Sequence, residues 1–135
     1  MLRLGVGLIA AAALAGCSKE RPYCGEAFCL TEKPTSISKT TPVEDFNLYR
    51  VEMAGKHFLI YEGNHPNTQG DQPVGPVAAH KLPKGFSQGQ LFGGDRGYQV
   101  LLRTGKTDWP TYIAVSLVTK NPQDLEVLTA KLEAK

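Results

Sequence analysis

The sequence predicts an α+β domain: a small antiparallel sheet of two hairpins with a C-terminal amphipathic helix packed on one face. Three observations lead there. The β-rich runs DFNLYRVEM (residues 45–53) and KHFLIYEG (56–63) are joined by Ala54-Gly55, which reads as a hairpin. The runs GYQVLLRTG (97–105) and TYIAVSLVT (111–119) repeat the pattern across the connection GKTDWP. Asn121-Pro122 then opens NPQDLEVLTAKLEAK, where Leu125, Leu128 and Leu132 recur at spacings of three and four.

The chain begins differently. Its 135 residues suffice for one domain, but the first 16 do not read as part of it. Arg3 is the only charge before an apolar run that closes on small residues at Ala15 and Gly16. A bilayer-spanning helix needs about 20 apolar residues. A run this short, after a charged start, reads as an export signal over residues 1–16. Leu14-Ala15-Gly16-Cys17 resembles the lipobox of bacterial lipoproteins, in which the cysteine thiol receives a diacylglycerol and the chain is cut just before it. The resemblance covers the first 20 residues. It implies that Leu14, Ala15 and Gly16 are recognition residues and that Cys17 becomes the lipidated first residue of a membrane-bound chain. It also implies an outer-membrane address facing the periplasm, because Ser18 stands where Asp favours inner-membrane retention in those lipoproteins. One acyl chain holds only marginally, at about 0.8 kcal/mol per buried methylene, whereas two or three on one cysteine hold firmly.

Removal of the signal leaves Cys24 and Cys29, in CGEAFC. An oxidising compartment turns paired thiols into disulfides, and the even count fits. A metal site would want further Cys or His at ligand spacing. A redox pair usually has two intervening residues, where this pair has four. Residues 17–43 read as the lipidated N-terminus and a tether carrying the disulfide loop. Pro22, Pro34, Pro42 and the polar run TEKPTSISKTTP leave too few apolar side chains to offset the entropy of ordering. As a flexible coil it would reach about 25–30 Å from the membrane. The other course is a loop wrapped on the domain. Only the disulfide loop, with Tyr23 and Phe28, is expected to pack.

The globular domain is placed at residues 44–135. In its second run, Phe58, Ile60 and Glu62 share one face, and His57, Leu59 and Tyr61 the other. Both faces are largely apolar, so this strand should be central or covered twice. Residues 64–97 contain Pro66, Pro73, Pro76, Pro83 and many glycines, and read as a long irregular region. Within it PVAAHKL could be a short strand or one helical turn, and GQLF another short strand. At the C-terminus Asn121 suits an N-cap, Pro122 the first helical position and Asp124 the positive end of the helix.

Composition and motifs restrict the chemistry. Without the first 16 residues, which hold one of the 15 basic side chains, 14 basic groups face 13 acidic ones. That balance argues against nucleic-acid binding, which wants a basic face. TGKT (104–107) lacks the glycine a phosphate loop needs five residues before its Gly-Lys pair, where Val100 stands, and reads as a hairpin turn. GGDRG (93–97) lacks dinucleotide spacing and also reads as a turn. His57, His65 and His80 are scattered, so no metal or other cofactor is expected. Ser87 lies in GFSQG, which fits G-x-S-x-G in letters but lacks the strand-to-helix elbow of a large α/β sheet. Glu62, Asp71 and Asp95 are conceivable members of a carboxylate pair; solvated surface is the commoner role for each.

Two aromatic, turn-rich stretches remain, YEGNHPN (61–67) and KTDWPTY (106–112), of the composition found at binding hot spots. The expectation is a membrane-anchored, non-catalytic protein-binding module of the cell envelope, either an assembly factor or an immunity-type inhibitor of a periplasmic toxin. Its contact residues would be Tyr61, Glu62, Asn64, His65, Trp109 and Tyr112. The alternative is an envelope hydrolase or small-ligand binder using loops 64–97, which requires His80, Ser87 and Asp95 to converge.

Overall fold

The computed structural model describes residues 21–43 and 45–135. The export signal, the lipobox and Cys17 lie outside the described residues. Among the described residues ten strands form two antiparallel sheets. The larger has the order β3 (Ser36–Val43), β4 (Phe46–Met53), β5 (Lys56–Gly63), β9 (Tyr112–Leu117), β8 (Gly97–Arg103), β7 (Gln88–Gly94), β6 (Gln72–Pro76). The smaller has the order β1 (Tyr23–Cys24), β2 (Phe28–Leu30), β10 (Leu132–Ala134).

Both expected hairpins are present. Ala54 and Gly55, with φ of 51° and 73°, form the two-residue turn between β4 and β5. Positive φ at both central positions matches the right-handed strand twist, which is why Gly is wanted there. β8 and β9 form the second hairpin, and β5 pairs with β9 to join the two into one sheet. β5 is therefore central, as its two apolar faces suggest.

The α+β architecture is overturned, because the described residues are nearly all β. Asn121 does cap a turn, its Oδ1 accepting from Gln123 N at 3.0 Å. One 3-10 turn (Pro122–Leu125) and a four-residue helix α1 (Glu126–Thr129) come next, and the helix stops there. Leu132–Ala134 then leaves as β10 and pairs with Leu30, Cys29 and Phe28. Leu125, Leu128 and Leu132 are all buried as the stripe demands. Leu132 reaches the core through a strand because β2 offers it a backbone ladder, and so short a helix is marginal without such competition.

The other differences lie at the sheet edges. Residues 64–97 supply β6 and β7. Pro73 and Pro76 sit in β6, the outermost strand, where a missing N–H forfeits no ladder bond. Residues 21–43 do not hang free of the domain. β3 forms the opposite edge on β4, and β1 and β2 build the small sheet. Ala27, Phe28, Cys29 and Leu30 are all fully buried.

The core lies between the sheets. Tyr49, Val51, Phe58, Ile60, Val100, Leu102, Ile113 and Val115 point inward from the large sheet. Phe28, Leu30 and Leu132 of the small sheet cover them, with Phe86, Leu125 and Leu128 alongside. The Phe28 and Tyr49 rings meet edge to face at 5.0 Å, a favoured aromatic geometry.

Candidate functional site

Strand pleating leaves the other face of the large sheet uncovered. Two cross-strand rows form its floor: Arg50, Leu59, Ser116 and Gln99 in one, Leu48, Tyr61, Ala114 and Leu101 in the next. A groove of about 880 Å³ runs over this floor. One wall is the segment 67–71, held by the Gln99 amide, whose Nε2 donates to Asn67 O and to Asp71 Oδ2 at 3.0 Å each. Arg50 and Arg96 line the groove with exposed guanidiniums, and Leu59 is 37% exposed at its centre. The floor mixes apolar Leu48, Leu59 and Ala114 with polar Arg50, Ser116 and Gln99, and the groove carries two cations, Arg50 and Arg96, and two carboxylates, Glu52 and Asp71.

At one end the groove meets the aromatic stretches. β5 ends where β9 begins, with Gly63 opposite Tyr112, so residues 61–65 and 109–112 become neighbours. Asn64 Oδ1 accepts from Thr111 N at 2.9 Å and clamps the two segments together. Tyr61 packs on Phe46 with ring centres 5.4 Å apart, and its hydroxyl accepts from His65 N. Burial is the chief cause that pushes the Tyr61 phenol above its ordinary pKa. Trp109 donates from Nε1 to Asp45 O and stays 38% exposed. The Arg103 guanidinium sits 5.7 Å from the Tyr112 ring centre, within cation–π range. Tyr61, Asn64, His65, Trp109 and Tyr112 thus gather at one end of the sheet.

Glu62 does not join them. It is fully buried, facing inward between Tyr49 and the disulfide loop. Its Oε1 accepts from Tyr49 Oη at 2.6 Å and Asn47 Nδ2 at 2.9 Å; Oε2 accepts from Ala27 N at 2.9 Å. Asn47 in turn accepts from Thr41 Oγ1. Three donors on two oxygens suit a carboxylate, which can only accept. The strand alternation that pairs Glu62 with Phe58 and Ile60 is the signal in the chain for its inward direction. The Cys24–Cys29 disulfide closes the loop that Glu62 holds. Gly25 is required in that loop: a Cβ there would lie 2.5 Å from Phe28 Cε1, 2.8 Å from Tyr49 Oη and 2.9 Å from Glu62 Oε2.

Burial first, then the hydrogen bond to Glu62 and its charge, raise the Tyr49 phenol far above its ordinary pKa near 10. Tyr23 is raised by burial and then by the Glu62 charge. A raised folded-state value means that the protonated phenol stabilises the fold, fully below pH 10 and less as pH climbs past it. We expect the unfolding free energy to fall by up to about 1.4 kcal/mol per pH unit above pH 10 for Tyr49. Urea midpoints at pH 9, 10 and 11 will read this slope, and Tyr49→Phe should reduce it to the share left by Tyr23 and Tyr61.

The residues of the hydrolase alternative do not converge. Ser87 precedes β7 and Asp95 comes after it, so the seven strand residues between them hold the two about 26 Å apart at the usual rise. Ser87 Oγ faces Arg103 O, and His80 sits in an exposed 3-10 turn, Ala79–Lys81. Asp71 bonds Gln99 on the open face, across the sheet from Glu62. GGDRG is the two-residue β7–β8 turn, with Gly94 opposite Gly97. TGKT opens the β8–β9 loop, where Thr104 Oγ1 accepts from Lys106 N and donates to Pro110 O. Among the described residues no group of three or more His, Cys, Asp and Glu could hold a metal ion. A second cleft, about 660 Å³, lies on the core side between β6 and residues 122–129, lined by Val74, Val77, Leu91, Pro122 and Leu125.

Fold and site together define a two-sheet β domain, stapled by one disulfide, with an open grooved face ending in an aromatic cluster. No family model, no curated protein and no solved structure matches this chain.

Proposed function

We propose that the chain is a lipid-anchored protein of the bacterial envelope, attached through Cys17 to the outer membrane and facing the periplasm, whose domain binds another protein without catalysing a reaction. An assembly factor or an inhibitor of a periplasmic toxin fits this description. The observation that carries the reading is that Tyr61 lines the groove while the Asn64–Thr111 hydrogen bond holds Trp109 and Tyr112 in the segment beside it. Aromatic side chains bury large areas at little entropic expense, and the groove offers Arg50 and Arg96 beside Glu52 and Asp71, charges of both signs that can fix the register of a partner.

A photocrosslinking residue at Ser38 or Trp109 of the full-length protein in intact cells tests this. One recurrent protein adduct is expected from both positions. With that partner purified, Trp109→Ala should weaken binding about 30-fold or more, the loss typical of a hot-spot anchor. Arg50→Glu should act in the same direction. Absence of a recurrent adduct at both positions would rule out the protein-binding reading. It would leave a small-ligand role, which the apolar cleft beside β6 would serve.

A further inference from the structure

We infer that the domain rests on the bilayer by the outer face of its small sheet, so that the groove of the large sheet points away from the membrane. This rests on the lipid anchor proposed above. Cys17 and Arg21 are four residues apart, and a fully extended chain of that length spans at most about 14 Å. The anchor therefore holds the domain close, because the chain is already tied to the small sheet at Arg21 and not only after residue 43.

The direction in which the chain leaves the domain fixes the orientation. In the small sheet Tyr23, Leu30 and Leu132 form one cross-strand row and are turned to the core. Cys24, Cys29 and Glu133 form the next row and point the opposite way. Lys84 extends that row through a parallel bridge to Glu133. Arg21 forms an ion pair with Glu133, so the chain at Arg21 lies over this outward row. Packed sheets are about 10 Å apart, and the groove is on the far side of the second sheet. An anchor four residues upstream therefore favours the side that carries Arg21, because the groove side lies a further sheet spacing away and behind the second sheet.

The outward row has the charge for such a contact. Lys131, Glu133 and Lys135 alternate with Leu132 and Ala134 along β10, and Lys84 lies beside them. Cys29 and Glu133 at the middle of this row are buried, and Cys24, Lys84, Lys131 and Lys135 around them are exposed. Lys131 shares its charge with Glu32 at 3.4 Å, and Glu26 lies in the neighbouring disulfide loop. With Arg21 paired to Glu133, the three lysines stand against Glu26 and Glu32, a surplus of one positive charge toward anionic phospholipid headgroups.

The test uses the full-length acylated protein in vesicles of phosphatidylethanolamine and phosphatidylglycerol that carry a nitroxide-headgroup lipid. A fluorophore is placed on single cysteines at Lys84→Cys, Lys131→Cys, Ser38→Cys and Gln69→Cys, two exposed positions on each face. We expect several-fold stronger quenching at 84 and 131 than at 38 and 69. Equal quenching on both faces, or stronger quenching at 38 and 69, overturns the orientation. The mass of the Cys17 peptide is measured on the same samples. An acylated cysteine with equal quenching defeats the orientation alone, whereas an unmodified thiol defeats the anchor and the orientation with it.

Discussion

Glu62→Ala is expected to lower the unfolding free energy by about 3–5 kcal/mol, because it leaves three buried neutral donors without their acceptor. Small domains have about 5–15 kcal/mol in total, so the variant should sit near the edge of folding. The loss has three sources. Tyr49 Oη, Asn47 Nδ2 and Ala27 N all donate to the carboxylate. Each would remain buried without an acceptor, at about 1–3 kcal/mol apiece before relaxation. Glu62→Gln keeps one acceptor oxygen but turns an NH₂ group toward a donor, and should lose about 2 kcal/mol. Urea unfolding followed through Trp109, the single tryptophan, measures both. A double-mutant cycle with Tyr49→Phe should give a coupling above about 0.5 kcal/mol, because the two side chains share one bond. A Glu62→Ala protein as stable as the parent would mean that the disulfide loop is not held by this carboxylate.

Glu62 also shows where a sequence reading of the site goes astray. Within YEGNHPN it reads as surface, because turn formers dominate the segment. The strand pattern groups it with Phe58 and Ile60, and in the fold the pattern prevails. Local alternation governs a residue inside a strand, and turn composition governs only the residues after Gly63. Tyr61, Asn64, His65, Trp109 and Tyr112 meet for a topological reason. β5 and β9 are neighbours, so the end of one and the start of the other lie side by side. The groove itself could not be read from the chain, since its floor is drawn from β4, β5, β9 and β8 and depends on strand order.

The elements legible in the chain carry two agreeing signals. β4 and β5 have alternation and a glycine turn; β8 and β9 have alternation and a connection containing Gly and Pro. β3, β6 and β10 have one signal or conflicting ones. β3 reads SISKTTPV, polar because an edge strand has one exposed side and must resist pairing with other chains. β6 contains two prolines, which usually argue against a strand and are tolerated only at an edge. β10 continues a leucine spacing that a helix satisfies equally well, and its partner β2 lies about 100 residues earlier. No local pattern encodes such a pairing. β2 is only three residues long, too short for composition to separate it from the polar run around it.

The same three-residue strand sets the second large expectation. A chain of residues 44–135, the unit the sequence marks as globular, should show no cooperative unfolding transition, whereas a chain beginning at Arg21 should retain one. Losing residues 21–43 strips β1 and β2 from the core and β3 from the edge of β4. Phe28 alone, fully buried against Tyr49, is worth about 3–5 kcal/mol when cut to Ala. Leu30 and Leu132 would add about 1.5–3 kcal/mol each through lost burial, since β10 has no ladder without β2. Glu62 would lose the Ala27 donor and face water that its pocket excludes. Together these losses come to about 6–11 kcal/mol, most of the roughly 5–15 kcal/mol that a domain of this size has. Thermal melts followed by circular dichroism on the two chains decide the matter. A sharp, reversible melt from residues 44–135 would show that the large sheet carries its own core, and that the small sheet is an accessory laid upon it. A featureless melt from the shorter chain beside a sharp one from Arg21 onward would make β2 the second wall of a single core, tied to β10 across almost the whole described chain.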